Sequence, residues 1–498
     1  MGIKAIAGLA YARFVVKKIR KDAANAIENQ DKIRRELISK SKFTLFGKNH
    51  QFEKIESYDD FKQHIPVVDY EGLRPYIDRI AQGETDILWP GLPLYFAKTS
   101  GTTSGVKLIP ITKESAPYHV KSAMQGTFCY LVESNSASVL DGKLIFLSGS
   151  PVLEKKNGIF IGRLSGIVNH LVPSWLKRSQ VPSYETNIIE DWEKKVSKIA
   201  DETMPLDMRL ISGIPAWVQM YFEKLLEKSG KKTILELFPN FGIFVYGGVN
   251  FAPYKSKIYS LIGKEIPSIE TYPASEGFIA FQDTQTEEGL LLLTNHGIFY
   301  EFIPVDEYFS DNPTRVSLHD VELGVNYALI LNTNAGLWGY SIGDTVKFVS
   351  KDPYRIVVSG RIKHFISAFG EHVISEEVDA AIQEACEKTG AELFEYHVAP
   401  QVQTKGELPY HEWIIEFSKM PDSLENFRDI VDQAMCRKNI YYQDLIKGQI
   451  LQKAIIKIVP HGTFIAYMKS QGKLGGQNKV PRLMNDRKLA DALLSMGK

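Results

Sequence analysis

Along the first ninety residues the spacing of apolar and polar positions reads as a series of helices. The opening stretch IKAIAGLAYARFVVKK predicts an amphipathic first helix that rests on the protein body or lightly on a membrane surface. Ser57 and Asp60 stand at capping-box spacing ahead of FKQHI, Pro66 stops that segment, and another helix is predicted from about Tyr70. From Leu94 onward short β-rich runs alternate with helical ones. The clearest unit is MRLISGIPAWVQMYFEKLLEKSG, which offers a short strand, a turn at Gly213 and Pro215 at a first helical position. Val218, Tyr221, Phe222, Leu225 and Leu226 then fall at i, i+3, i+4, i+7 and i+8, and Gly230 lies just past the end. Strand, tight turn and helix in that order are the parts of a layered α/β domain.

After Leu290 the pattern becomes that of paired strands. LLLLTNHGIFYEFIPV, with its turn at Asn295 to Gly297, predicts a hairpin. YALILNT, TVKFVS and YRIVVSG add strands, the last ending at Gly360. Beyond it the chain reads as a smaller α+β unit. Its helix from Ser375 carries Val378, Ala381, Ile382 and Ala385 on one face, and the strands EWIIEF and AIIKIV flank a second helix near 424–437. The expected domains are therefore 1–360 and 361–498. No 20–50-residue repeat is present, which sets aside a solenoid or propeller.

Composition narrows the class without naming it. A chain of 498 residues predicts two to four domains, and 44% hydrophobic with 24% charged residues is ordinary for a soluble globular protein. Fifty-nine basic residues balance fifty-nine acidic ones, so no overall field draws the chain to nucleic acid or to an anionic membrane. Any bound anion must be met by local geometry. Cys129, Cys386 and Cys436 form no C-x-x-C pair and fit buried thiols in a reducing compartment, with a cytoplasmic location expected. No run of about 18 apolar residues occurs, so stable membrane insertion is not expected. Ala10-Tyr11-Ala12 could pass for a cleavage site, but the apolar core before it, about eight residues, is at the short end for a signal peptide.

The candidate chemistry begins at FAKTSGTTSG, residues 96–105, which sets five hydroxyl side chains and two glycines between Thr99 and Gly105. Small residues after a strand let successive backbone N–H groups point inward as a nest for an anion, and Lys107 adds a full positive charge. A plain surface turn is the alternative. It is not a Walker A loop, because Val106 stands where that pattern needs glycine, nor a nucleophile elbow, because Thr103 stands where serine is required.

Taken with this loop, the segments YGGVNFAP, TYPASEGF, GYSIGDTVKF, GRIKHFISAFGEHVISEEVDAAI and GQNKVPR resemble, in order, the signature segments of the adenylate-forming superfamily. The closer resemblance is to the auxin-responsive promoter family of acyl acid amido synthetases, carried by T-S-G-T-T-S-G-x-K-x-I-P, Y-x-x-S-E and N-K-x-P-R. It spans nearly the whole chain, from about Tyr58 to Arg482. It implies an α/β fold: a large N-terminal layered α/β domain with an added β-rich subdomain, and a smaller mobile α+β C-terminal domain.

The resemblance also implies roles. Thr99, Ser100, Gly101, Thr102, Thr103, Ser104 and Lys107 would cradle the phosphates of ATP. Gly247 and Gly248 would let adenine lie against backbone, Tyr272 would stack on it beside Ser275, and Glu276 would help bind Mg2+. Asp344 would accept hydrogen bonds from the ribose hydroxyls. Arg361 and Lys363 mark the hinge of the mobile domain, with Lys363 also near the α-phosphate, and Gly475 and Gly476 would free the loop that carries Lys479. Lys479 would bridge carboxylate and α-phosphate in the transition state. Phe128, Arg163, Ile214, Trp217 and Val218 are candidates for the acyl pocket, though their residue types fit a core equally well.

The first expectation is an ATP- and Mg2+-dependent ligase that adenylates a carboxylic acid and passes the acyl group to an amine, above all an amino acid. The alternative gives the acyl group to coenzyme A. A nucleotide-binding regulator without turnover is disfavoured by the joint presence of Glu276, Asp344 and Lys479. A monomer is the family's usual condition.

Overall fold

The structure is a computed structural model. It describes residues 3–100, 106–248, 251–362, 365–366, 373–402, 408–447, 450–474 and 479–497. Gly101, Thr102, Thr103, Ser104, Lys363, Gly475 and Gly476 lie outside the described residues.

The chain folds as two compact units. One holds Met1–Ile214, Tyr221–Gly248 and Glu265–Val357; the other holds Pro215–Met220, Val249–Lys264 and Val358–Lys498. Two short segments from the middle of the chain thus group with the C-terminal residues, a placement that chain order does not announce.

The first unit opens on helices α1 (Ile3–Ala24) and α2 (Ala26–Ser41). The capping box at Ser57 forms as its spacing predicts, with the Ser57 hydroxyl accepting from the Asp60 N–H and the Asp60 carboxylate accepting from the Ser57 N–H. The next long helix runs Tyr70–Ala81 from an Asp69 cap. Among the described residues the main sheet has twelve strands. Lys143–Phe146, Gln180–Val181, Met208–Ser212, Ile243–Gly247 and Ser268–Ala274 form its parallel part. From Gly277–Phe281 the pairing turns antiparallel, so the β-rich region after Leu290 extends the same sheet. A separate four-stranded sheet contains β1 (Tyr95–Ser100) and β2 (Val106–Ile111), paired antiparallel with Thr99 opposite Lys107.

The hairpin expected around Asn295 does not form. Leu290–Leu292 lies between Gly277–Phe281 and Tyr354–Arg361, while Ile298–Pro304 pairs with Asn326–Thr333 and Val316–Ser317. Both edges of each strand are already filled. The backbone groups freed at the corner are met by buried Gln30 of α2, whose amide donates to Thr294 O and Ile298 O and whose carbonyl accepts from Tyr300 N. An unmet buried group of this kind costs about 1–3 kcal/mol. A distant helix therefore replaces the local partner that the turn suggested.

In the second unit Glu392–Gln401 pairs antiparallel with Tyr410–Lys419, which pairs parallel with Ile455–Ile458. Helices Ser375–Thr389 and Leu424–Lys438 cover this sheet, and Val378, Ala381, Ile382 and Ala385 are buried against Tyr396, Trp413 and Phe427 as the periodicity requires. Helix Ala252–Ile262 belongs to this unit: its Tyr254 hydroxyl donates to Glu395 Oε2 at 2.7 Å, and the Arg482 guanidinium lies 5.2 Å from the Tyr254 ring centre.

Candidate active site

Several of the sequence-predicted groups meet in the first unit, and two tyrosines join them. The register of β1 and β2 sets Lys107 opposite Thr99 at the mouth of the hydroxyl-rich loop. The Lys107 ammonium lies 5.4 Å from the ring centre of Tyr70, and the Tyr70 hydroxyl accepts from Leu108 N at 2.9 Å. Backbone bonds from Val68 N to Gly339 O and from Ser341 N to Val68 O lay the chain before Tyr70 beside Tyr340. Gly339 sits at φ 53° with a built Cβ only 2.0 Å from Pro66 O, so any larger residue there would push the two segments apart. The Tyr340 phenol lies near the Glu276 carboxylate. Burial first, and then the charge of Glu276, push the Tyr340 phenol far above its ordinary range.

A second pair lies on the neighbouring strands. The Tyr272 hydroxyl donates to Asp344 Oδ2 at 2.7 Å, both groups being buried. Asp344 follows Gly343, whose φ of 86° turns the strand Tyr340–Lys351 toward that contact. Ser275 is half-buried in the turn between Ser268–Ala274 and Gly277–Phe281. Gly247 ends the adjacent strand opposite Thr271, where a Cβ would come within 2.5 Å of Thr271 O. Only glycine lets the backbone approach Thr271 and Pro273 that closely. Gly248 follows at φ 82°.

Glu270, two residues before Tyr272, was not singled out from sequence. Its carboxyl is pushed up to about 7 by burial, with the Tyr246 hydroxyl, 3.4 Å away, pulling the other way. Tyr70 and Tyr340 were also missed as individual site residues. Tyr340 stands inside the quoted GYSIGD, four residues before Asp344, and that is the one signal that could have found it.

The acyl-pocket candidates divide. Phe128 packs in the apolar core beneath α1, edge-on to Tyr11 with ring centres 5.6 Å apart, and core packing accounts for it. Arg163 is an exposed residue at the start of the helix Leu164–Leu171. Its charge adds to burial in lowering the nearby Lys195 ammonium to about 8, and that ammonium donates to Ser148 O and Asn187 O. Ile214 is half-buried just ahead of Pro215. Trp217 and Val218 are buried on the helix Pro215–Ser229 within the second unit. Arg361 and Lys479 are exposed residues of the second unit.

Against this geometry, comparison with known proteins is decisive for the family. The GH3 family N-terminal domain matches residues 15–181 and 150–267, the GH3 family central domain 291–361, and the GH3 family C-terminal domain 376–488. The chain belongs to the GH3 family. Jasmonoyl–L-amino acid synthetase JAR4 of Nicotiana attenuata is 25% identical over 355 residues, a match covering 58% of this chain and 60% of that relative. Indole-3-acetic acid-amido synthetase GH3.3 of Arabidopsis thaliana is 22% identical over 538 residues, covering 92% of this chain and 89% of its own. Among solved structures, the AtGH3.15 acyl acid amido synthetase in complex with 2,4-DB superposes with a TM-score of 0.79 at 18% identity, covering 97% of this chain and 96% of that one. A 2-hydroxyisobutyryl-CoA ligase in its postadenylation state gives 0.58 at 13% identity, covering 97% and 91%. Both structures share the fold. The GH3 central-domain match ends at Arg361, close to where the second compact unit takes up the chain at Val358.

Proposed function

We propose that the chain is an ATP-dependent acyl acid amido synthetase, adenylating a carboxylic acid and transferring the acyl group to an amino acid. The observation that carries this reading is the meeting, in one unit, of Lys107, Tyr70, Tyr340 and Glu276 with the Tyr272–Asp344 pair beside Gly247. Membership of the GH3 family and relatives named as amido synthetases support the amino acid as acceptor.

In this mechanism the Tyr272 ring, held by its hydroxyl bond to Asp344, presents a fixed face to adenine while Gly247 offers bare backbone. One oxygen of Asp344 accepts the hydrogen bond from the Tyr272 hydroxyl, and the remaining lone pairs accept from the ribose hydroxyls. Lys107 and the hydroxyl-rich loop meet the leaving phosphates. The acid's carboxylate attacks the α-phosphate, pyrophosphate departs, and the amine then attacks the acyl carbon to release AMP. Lys479 stabilises the charge that grows in the first transition state.

Glu276 suits Mg2+, a hard cation that takes oxygen ligands and is held by one or two carboxylates together with substrate phosphates. The Tyr340 phenol lies near that carboxylate, and among the described residues no cluster of three ligating side chains is present. The cation supplies positive charge to the polyphosphate.

The test is pyrophosphate exchange across a panel of carboxylic acids, followed by product mass with amino acids or coenzyme A as acceptor. Amide products and loss of exchange in Lys479→Ala are expected. Thioester products alone would transfer the chain to the coenzyme A ligases, whose fold it shares, and unchanged exchange in Lys479→Ala would remove that lysine from the mechanism.

A further inference from the structure

Helix α1 is used on one face only. Ala5, Leu9, Ala12, Val16 and Ile19 are buried and pack with Phe128, Cys129 and Leu131 of the helix Ala116–Glu133. At 100° per residue these five cluster on one side, which directs Ile6, Ala10, Tyr11 and Phe14 outward or to the flanks. Ile6 and Phe14 are 60% and 71% exposed and Tyr11, which packs one ring edge on Phe128, is still 55% exposed, so much of the outward apolar surface of the first turns is uncovered.

The charge on the same helix is one-sided. Lys4, Arg13, Lys17, Lys18, Arg20 and Lys21 are all exposed, and residues 3–21 contain no acidic side chain. Asp22, the first acid, is half-buried and accepts from the Asn295 amide at 3.0 Å. In a chain whose charges sum to zero, this is a local concentration of cations. The apolar side chains lead and the cations follow along one outer surface, with Lys17, Lys18 and Lys21 continuing the stripe that Phe14 begins.

We infer that the outer face of α1 docks on the surface of an anionic phospholipid bilayer. Phe14, Ile6 and Tyr11 enter the boundary between headgroups and acyl chains, and the lysines meet the lipid phosphates and carboxylates. A soluble polyanion would use the lysines but gives the exposed aromatic and aliphatic side chains no partner. The chemistry of the face therefore favours lipid. No described helix is long and apolar enough to cross a membrane, so the helix lies on the bilayer. The docking stands independently of the reaction proposed above.

The test is co-sedimentation of the full chain with vesicles of phosphatidylcholine alone and of phosphatidylcholine with phosphatidylserine. Binding to the serine-containing vesicles, weakened as salt is raised, is expected. Phe14→Ser and the pair Lys17→Glu/Lys18→Glu should each lower the partition about ten-fold, the first through lost apolar burial and the second through lost attraction. These exposed positions leave the melting temperature and vesicle-free activity unchanged. Absence of vesicle binding, or binding indifferent to both variants, overturns the inference. So does capture by heparin without capture by vesicles, which assigns the face to a soluble polyanion. Light scattering that shows a dimer dissolved by Phe14→Ser assigns it to a second copy of the chain and likewise overturns the inference.

Discussion

Each compact unit holds a pair of acidic side chains in a polar cluster, and the two clusters are built differently. In the second unit Asp379 and Glu395 converge on half-buried Arg482, whose guanidinium donates to Glu395 Oε1 at 3.0 Å and lies 3.6 Å from Asp379. The rings of Tyr254 and Tyr396 face that guanidinium, and their hydroxyls donate to Glu395 and Asp379 respectively. In the first unit Glu276 stands near the Tyr340 phenol, and Asp344 accepts from the Tyr272 hydroxyl. An arginine cancels a carboxylate's charge; a phenol fixes its direction and leaves the charge in place. The first arrangement neutralises its carboxylates, and the second leaves two anions in place.

The largest effect is expected where charge is cancelled. Arg482→Met leaves the Asp379 and Glu395 carboxylates without their shared cation and should cost about 3–5 kcal/mol in urea unfolding. Glu276→Gln should behave in the opposite way, lowering pyrophosphate exchange by about a hundred-fold or more while the unfolding midpoint barely moves. Equal destabilisation by the two substitutions would erase the distinction. Tyr340→Phe removes the hydroxyl near Glu276 and should lower kcat about ten-fold, with a raised Mg2+ requirement as the sign that orientation was lost.

The smallest effect sharpens the comparison through pH. The Glu270 carboxyl is raised to about 7, chiefly by burial. A carboxyl raised in the folded state contributes stability that is present below the ordinary carboxylate range and is lost as pH rises through about 7. Glu270→Gln should therefore melt with the wild type at about pH 4 and above it at about pH 8, by on the order of 1–2 kcal/mol. A substitution that destabilises at both pH values would instead mark Glu270 as a charged partner of the site.

Local rules succeeded where the physics was local. The capping box at Ser57, the helix from Pro215 to its left-handed Gly230 cap, and the inward face of Ser375–Thr389 need only neighbouring residues to be predicted. The hairpin at Asn295 failed because Gln30, from a helix far earlier in the chain, satisfies the corner. Gly247, Tyr272, Glu276 and Asp344 stand out in the sequence because motif spacing carries chemistry, and the structure sets Tyr272 against Asp344 and Gly247 against Thr271. Tyr70 and Tyr340 do not, since a buried tyrosine looks the same in a sequence whether it fills a core or stands near a carboxylate.

By itself the sequence determined the type of many elements, the order of its motifs and the α/β class, because these follow from periodicity, turn chemistry and the donor or acceptor character of single side chains. Tertiary structure alone decided which strand edges meet, which middle segments join the C-terminal unit, and which hydroxyl points at which carboxylate. Those outcomes depend on competition among groups distant in the chain, each seeking a buried partner, and no local pattern records who wins.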